Sequence, residues 1–122
     1  MASKPVRIPG PDHPITVTPS DLHVVVRAGG KVIADTRRAL ALQESSYPLA
    51  YYIPREDADM AALERTDHAT YCPYKGEASY YSVRGGSANA VWTYEAPYDA
   101  VSEISGHLAF YPDRVDSIEV SR

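Results

Sequence analysis

Short runs of β-branched and aromatic residues, each ended by glycine or proline, limit most strongly how this chain folds. The clearest case is the tight turn Ala28-Gly29-Gly30-Lys31, between runs 22–27 and 32–35. Two adjacent glycines supply the positive φ that a two-residue hairpin needs. Further strands are predicted at residues 39–44, 51–53, 78–84, 90–95, 108–111 and 115–120. Parallel α/β folds are disfavoured because the crossover helices are missing. The pattern therefore predicts an all-β domain, a sandwich or a barrel.

Two short helical segments are predicted beside these strands. Asp57 can cap a helix over residues 57–65, in which Met60 and Leu63 share one face. Residues 98–105 are predicted to form one or two helical turns that end at Gly106. Since neither segment is long enough to be stable alone, both must pack on a sheet.

Length and charge restrict the class of protein further. The 122 residues suffice for one domain with a single core. Residues 1–20 are rich in proline and are predicted to form an extended N-terminal arm, and residues 21–122 to form the single domain. A formal net charge of −4 gives no electrostatic reason to expect nucleic acid or a membrane as partner. One cysteine cannot form an internal disulfide, which fits a cytoplasmic location.

Residues 70–81, Thr-Tyr-Cys-Pro-Tyr-Lys-Gly-Glu-Ala-Ser-Tyr-Tyr, concentrate the chemical groups of the chain. Lys75 beside Gly76 can hold a phosphate or carboxylate, because the ammonium supplies charge and the glycine lets an anion approach. A solvated turn lysine is the alternative. Cys72 is a candidate nucleophile or redox centre, or else a buried structural thiol, as lone cysteines commonly are.

Tyrosine dominates the aromatic residues, with 10 Tyr against one Trp and one Phe. Because a buried tyrosine hydroxyl needs a partner, this bias indicates half-exposed groove walls, although β-propensity alone also favours tyrosine. We predict that Tyr52, Tyr74, Tyr80 and Trp92 line a ligand pocket around the Cys-Pro-Tyr-Lys-Gly motif. Trp92 shares a strand face with Tyr94 and would also suit a core.

The acidic residues and histidines give weaker signals. Glu44, which ends a leucine-patterned strand, is a candidate general base and hydrogen-bond acceptor, or an exposed strand-end glutamate. Glu77 and Glu95 are the other acids considered, and a buried carboxylate would need a partner, for which Lys75 is the obvious choice. The four histidines lack metal-binding spacing, so no metal and no cofactor are predicted.

Five ordered blocks resemble a bacterial and fungal family, domain of unknown function 427. The blocks are V-I-A-D-T-R-R-A-L (32–40), Y-Y-I-P-R-E-D (51–57), D-H-A-T-Y-C-P-Y-K-G-E-A-S-Y (67–80), N-A-V-W-T-Y-E-A-P (89–97) and I-S-G-H-L-A-F-Y-P-D-R-V (104–115). The resemblance implies a β-tent-like fold, in which two small antiparallel sheets pack at an angle.

The resemblance also brings two expectations that this chain does not meet. Other β-tent proteins, such as methionine sulfoxide reductases and the thalidomide-binding domain of cereblon, often hold zinc through four cysteines, and this chain has one. The family has been labelled nucleotidyltransferase-like, but the chain has no glycine-rich phosphate loop and no Gly-Ser with paired aspartates.

Three functions fit these residues. The first is recognition of a small polar or anionic molecule, with Lys75 as its anchor and catalysis on it left open. The second is a thiol enzyme in which Cys72 attacks and His68 is the base. The third is a protein-interaction or homodimerisation module that uses exposed tyrosines and an open sheet edge.

Overall fold

The computed structural model describes residues 4–122, in which ten strands form three antiparallel sheets. The strands are β1 (Ile15–Pro19), β2 (His23–Ala28), β3 (Lys31–Thr36), β4 (Leu40–Glu44), β5 (Ala50–Tyr52), β6 (Leu63–Cys72), β7 (Gly76–Val83), β8 (Val91–Thr93), β9 (Leu108–Phe110) and β10 (Ser117–Ser121). Their order in the sheets is β1-β4-β5, β10-β2-β3 and β6-β7-β8-β9. The all-β prediction is therefore confirmed.

The described residues form three sheets where the family resemblance implied two. One of these sheets takes its edge strand from the start of the chain, because Ile15–Pro19 pairs with Glu44–Leu40 of β4. This strand lies inside the segment predicted as an extended arm, and residues 1–3 of that arm lie outside the described residues. The N-terminal segment therefore contributes directly to the sheet that presents Glu44.

The β2–β3 hairpin forms where the glycine pair predicted it. Gly29 and Gly30 have φ values of +60° and +75°, in the left-handed region that both central residues of a type I′ turn require. The predicted turns at residues 98–105 are also present, as the 3-10 segment Asp99–Ile104, and Gly106 follows with a φ of +72°. In both places glycine fixes the local chain direction.

The helix predicted over residues 57–65 is wrong. The chain instead makes two 3-10 turns, Arg55–Asp57 and Met60–Ala62, and then enters β6 at Leu63. Asp57 does not cap a helix, because its carboxylate accepts hydrogen bonds from Thr36 Oγ1 at 2.7 Å and from Arg38 at 3.0 Å. Pairing of β6 with β7 overrides the weak helical spacing of Met60 and Leu63. No helical segment of residues 4–122 has the length and apolarity needed to cross a membrane.

Two apolar cores lie against the β6–β9 sheet, since alternate residues of a strand point to opposite faces. In β9, Leu108 and Phe110 belong to the first core and Ala109 to the second. The first core also contains Val24, Val26, Ile33, Ile53, Val83 and Val91, and the second contains Leu42, Tyr52, Tyr80, Tyr94, Val101 and Ile104. The candidate site lies where these two cores meet.

Candidate functional site

A cavity of about 600 Å³ opens among the three sheets. Its walls include Val24 and Val26 from β2, Leu42 from β4, and Ile118 and Val120 from β10. Its aromatic lining residues are Tyr47, Tyr51, Tyr52, Trp92, Tyr94, Phe110 and Tyr111. The volume and the mostly apolar lining are those of a pocket for a small molecule.

Glu44 and Lys75 form an ion pair inside this cavity and are its charged lining residues. Their side chains are 12% and 9% exposed. Glu44 is brought there as the last residue of β4, and Lys75 as part of the turn between β6 and β7. Of the acids considered as partners for Lys75, Glu77 instead pairs with Lys4 and Glu95 with Arg65.

The carboxylate of Glu44 is held in its ionised form. Burial by itself would raise its pKa, but the hydrogen bonds from Lys75 and His13, together with the charge of Lys75, outweigh burial and hold the pKa of Glu44 below its ordinary value. Both carboxylate oxygens are engaged, Oε1 by Lys75 and Oε2 by His13. The arrangement suits a fixed acceptor better than a proton-abstracting base, which would need a pKa nearer neutrality.

His13 completes this group from the N-terminal segment. Its Nε2 lies 2.8 Å from Glu44 Oε2, and its ring stacks on Tyr74 with centroids 4.1 Å apart and planes 9° apart. Tyr47 meets the same ring edge-on at 6.1 Å. Tyr74 therefore contacts His13 and is not among the cavity-lining residues, so its predicted place in a pocket wall differs from the place observed.

Gly76 shapes the turn that presents Lys75. Its φ of +109° is one that glycine adopts and other residues rarely do. A Cβ added there would lie 3.5 Å from Ala96 O, so Gly76 faces the 96–98 segment and does not line the cavity. The amide of Tyr98 donates to Lys75 O at 3.0 Å, which fixes the turn from the same side.

Tyr52 and Trp92 form one corner of the cavity. Trp92 Nε1 donates to the Tyr52 hydroxyl at 3.0 Å, and the two rings meet edge to face at 6.1 Å. Tyr111 packs on the other side of the indole, with centroids 4.5 Å apart. Burial raises the pKa of Tyr52, so this hydroxyl stays neutral. Two of the predicted ligand-binding residues are thus brought together as neighbouring walls.

A family model described as Domain of unknown function (DUF427) matches residues 16–121. This chain belongs to the DUF427 family. Among curated proteins no match is found.

Tyr80 of this DUF427 domain is buried in the second core and does not line the cavity. Its hydroxyl lies 2.8 Å from Thr70 Oγ1, and the His68 ring meets its ring at 4.5 Å. Tyr80 also reaches the Tyr111 hydroxyl at 3.4 Å. Its contacts place it behind the cavity wall, where it supports Tyr111.

Cys72 is half-buried at the end of β6 and packs against the second core. It is not among the cavity-lining residues, and within residues 4–122 no hydrogen bond joins it to His68 or Lys75. The thiol and the amine therefore lie in different surroundings. Residues 4–122 contain no cluster of three or more His, Cys, Asp or Glu side chains that could hold a metal ion.

Sequence reasoning missed His13, Tyr94 and Tyr111 as parts of the DUF427 site. The sequence signal for Tyr94 was present, since it lies two residues after Trp92 and was expected to share its face. The contact of His13 with Glu44 depends on the antiparallel pairing of β1 with β4, in which Ile15 lies opposite Glu44. Nothing in the local sequence of either strand specifies that register.

A second depression, of about 540 Å³, lies beside the turn at Gly29 and residues 113–116. Two of its charged residues are paired within the protein: Asp116 accepts from the amide of Gly30 at 3.1 Å, and Arg84 pairs with Glu64 at 3.4 Å. The side chains of both Arg84 and Glu64 are more than half exposed. This depression lacks the buried charged pair that distinguishes the central cavity.

Proposed function

We propose that this DUF427 domain binds a small molecule whose apolar, ring-bearing body fills the central cavity and whose polar or anionic end reaches Lys75. The observation that carries the proposal is the Lys75–Glu44 ion pair, buried in a cavity whose other walls are apolar or aromatic. Lys75 is the anchor and Glu44 a second polar contact. Tyr52 and Trp92 are the walls against which the ring body packs.

The energetics of buried charge support a binding role for this pair. Removing two charges from water costs several kcal/mol per ion, which their attraction does not reliably return. Replacing such a pair by apolar residues of similar volume is often neutral or even stabilising, by about 1–4 kcal/mol. The fold by itself therefore gives little reason to keep Lys75 and Glu44 here, whereas a polar ligand group would.

The aromatic walls support the same proposal. The edge-to-face contact of Tyr52 with Trp92 and the tilted contact of Trp92 with Tyr111 hold these rings in place before any ligand arrives. Preorganised walls lower the entropic cost of binding. Of the other predicted contacts, we assign Tyr74 and Gly76 the task of positioning His13 and Lys75, and Tyr80 that of supporting Tyr111.

A thermal-shift screen of ring-bearing metabolites tests this proposal. A ligand at about 100 times its Kd stabilises the folded state by about 2.7 kcal/mol, which corresponds to a Tm increase of several degrees. We expect the increase to vanish in Lys75→Met and to persist in Lys31→Met, since Lys31 is an exposed lysine at the start of β3, outside the cavity.

Should Lys75→Met alone prove too unstable, the double variant Lys75→Met/Glu44→Gln removes both charges and leaves no buried carboxylate unpaired. Hits that stabilise this variant as much as the wild type would refute the role of Lys75. A screen in which no metabolite stabilises the wild type would refute the binding site itself.

A further inference from the structure

The hydroxyl of Tyr94 lacks a partner. Four tyrosines of residues 4–122 are buried, and three of them have one: Tyr52 bonds Trp92, Tyr80 bonds Thr70, and Tyr81 accepts from Arg55 at 3.0 Å. Tyr94, only 6% exposed, makes no side-chain hydrogen bond within the described residues. Because a buried hydroxyl without a partner is costly, this one requires an explanation.

The unpartnered hydroxyl is not sealed from solvent, and it belongs to a residue of the cavity wall. Within residues 4–122, no side-chain polar atom that is fully sealed from solvent lacks a hydrogen bond. The Tyr94 oxygen is therefore open to some space, and Tyr94 is one of the lining residues of the central cavity. It offers a ligand one O–H donor inside an apolar wall.

Lys75 offers further donors next to it. Its Nζ lies 5.8 Å from the centre of the Tyr94 ring. An ammonium group has three N–H donors, and within the described residues Lys75 uses one, on Glu44. Lys75, with two further N–H groups, and Tyr94, with its hydroxyl, are thus neighbouring donors in the lining of the cavity.

The charges of the cavity cancel without a ligand. Lys75 contributes one positive charge, Glu44 one negative charge, and the other lining residues are uncharged. A ligand carboxylate would add a negative charge that no cavity-lining residue balances, and an uncompensated charge in an apolar site is strongly disfavoured. A neutral acceptor meets the free donors without that cost.

We infer that the polar end of the ligand is an uncharged carbonyl, of the amide or ketone class, whose oxygen accepts one hydrogen bond from Lys75 and one from Tyr94. The two lone pairs of a carbonyl oxygen match these two donors. This inference rests on the proposed binding function and narrows its ligand class. Tyr94 then determines specificity, because a ligand without the acceptor leaves its hydroxyl unpaired.

Matched pairs of aromatic carboxylates and their primary amides, such as benzoate with benzamide and 2-naphthoate with 2-naphthamide, test the inference. The members of each pair have the same shape and differ in charge at about pH 8, where carboxylic acids are ionised. Calorimetry or ligand-observed NMR gives the Kd of each compound for the wild type. We expect the amide to bind more tightly than its carboxylate in every pair.

Two substitutions sharpen the test. Tyr94→Phe should weaken amide binding by a factor of about 2–10, the range expected for one neutral hydrogen bond. Tyr81→Phe, which changes a buried tyrosine outside the cavity, should leave the Kd unchanged. Glu44→Gln removes the charge that balances Lys75, so it should shift the preference of each pair towards the carboxylate.

Different outcomes test the carbonyl assignment and the binding function of the cavity. The carbonyl assignment would be overturned if the wild type bound the carboxylates more tightly, or if Tyr94→Phe left the amide Kd unchanged. Neither result would contradict the proposed binding site. Failure of every amide and every carboxylate to bind the wild type at millimolar concentration would overturn both.

Discussion

Glu44 accepts hydrogen bonds from Lys75 on one carboxylate oxygen and from His13 on the other, so one side chain joins the β6–β7 turn to the N-terminal segment. Each of these two partners lies 31 residues from Glu44 along the chain. This linkage makes the polar end of the cavity a product of the tertiary fold, and its energetics can be measured in several ways.

Removing one charge of the pair should cost far more than removing both. We predict that Lys75→Met lowers the free energy of unfolding by roughly 3 kcal/mol, because it leaves Glu44 without its main cation. The double variant Lys75→Met/Glu44→Gln should recover most of that loss. Urea denaturation of the four members of this cycle gives the coupling energy directly. Additive losses would contradict a mutually compensating pair.

The loss of folding stability at acidic pH should depend on Glu44. Since the pKa of Glu44 is lower in the folded state than its ordinary value, the unfolded chain takes up the proton first as pH falls. The stabilisation from Glu44 is therefore complete at neutral pH and is lost as pH falls through the folded pKa. We predict a shallower loss for Glu44→Gln than for the wild type below about pH 4.5, measured by urea unfolding at a series of pH values. Parallel profiles would mean that the carboxylate is not held in its ionised form.

His13 should fasten the N-terminal segment to the domain. Its hydrogen bond to Glu44 and its stack on Tyr74 together predict a loss of about 1–2 kcal/mol for His13→Ala. His107→Ala is the matched control, since within residues 4–122 the only hydrogen bond of the His107 ring is to the nearby Ser105 carbonyl. Thermal unfolding of both variants checks the prediction, and equal Tm changes would argue against a fastening role.

Cys72 should react slowly with alkylating agents. The thiol packs against the second core and, within the described residues, has no cation as a hydrogen-bond partner to favour its thiolate. We expect iodoacetamide to label the folded protein more slowly than the urea-unfolded chain at neutral pH, as followed by mass spectrometry. Faster labelling of the folded protein would instead support the thiol-enzyme hypothesis with Cys72 as nucleophile.

The hydrogen bond from Trp92, the one tryptophan of the chain, to Tyr52 should contribute to the stability of the fold. Trp92→Phe removes the donor of the 3.0 Å hydrogen bond and leaves the buried Tyr52 hydroxyl without it, for which we predict a loss of about 1–3 kcal/mol. The matched variant Tyr52→Phe, in which the indole keeps its own packing, should cost less. Equal urea midpoints for Trp92→Phe and the wild type would show that this bond contributes nothing.

The sequence predicted most strands because their signals are local. The glycine pair at 29–30 favours a tight turn whatever the tertiary fold, and the β-branched runs beside it suit a half-buried sheet. The strand β6 was missed for the opposite reason. Most of Leu63–Cys72 is exposed, so its residues carry no alternating apolar pattern, and only pairing with β7 makes it a strand.

The candidate site was predictable in part. Lys75 and Glu44 stood out because a buried carboxylate needs a cation, and the structure pairs them. Tyr52 and Trp92 line the cavity, whereas Tyr74 stacks on His13 and Tyr80 lies behind the cavity wall. Such distinctions depend on which face of each strand meets another sheet. No single segment of the sequence determines how the three sheets pack against one another.

NMR titration of the ¹⁵N-labelled protein with a hit from the screen tests most directly whether the central cavity is a binding site. We predict chemical-shift changes concentrated at the Trp92 indole N–H and at the amides of Tyr94 and Ile118, with the turn at residues 28–31 unaffected. Changes confined to residues 28–31 and 113–116, or spread evenly over the surface, would contradict the proposed site.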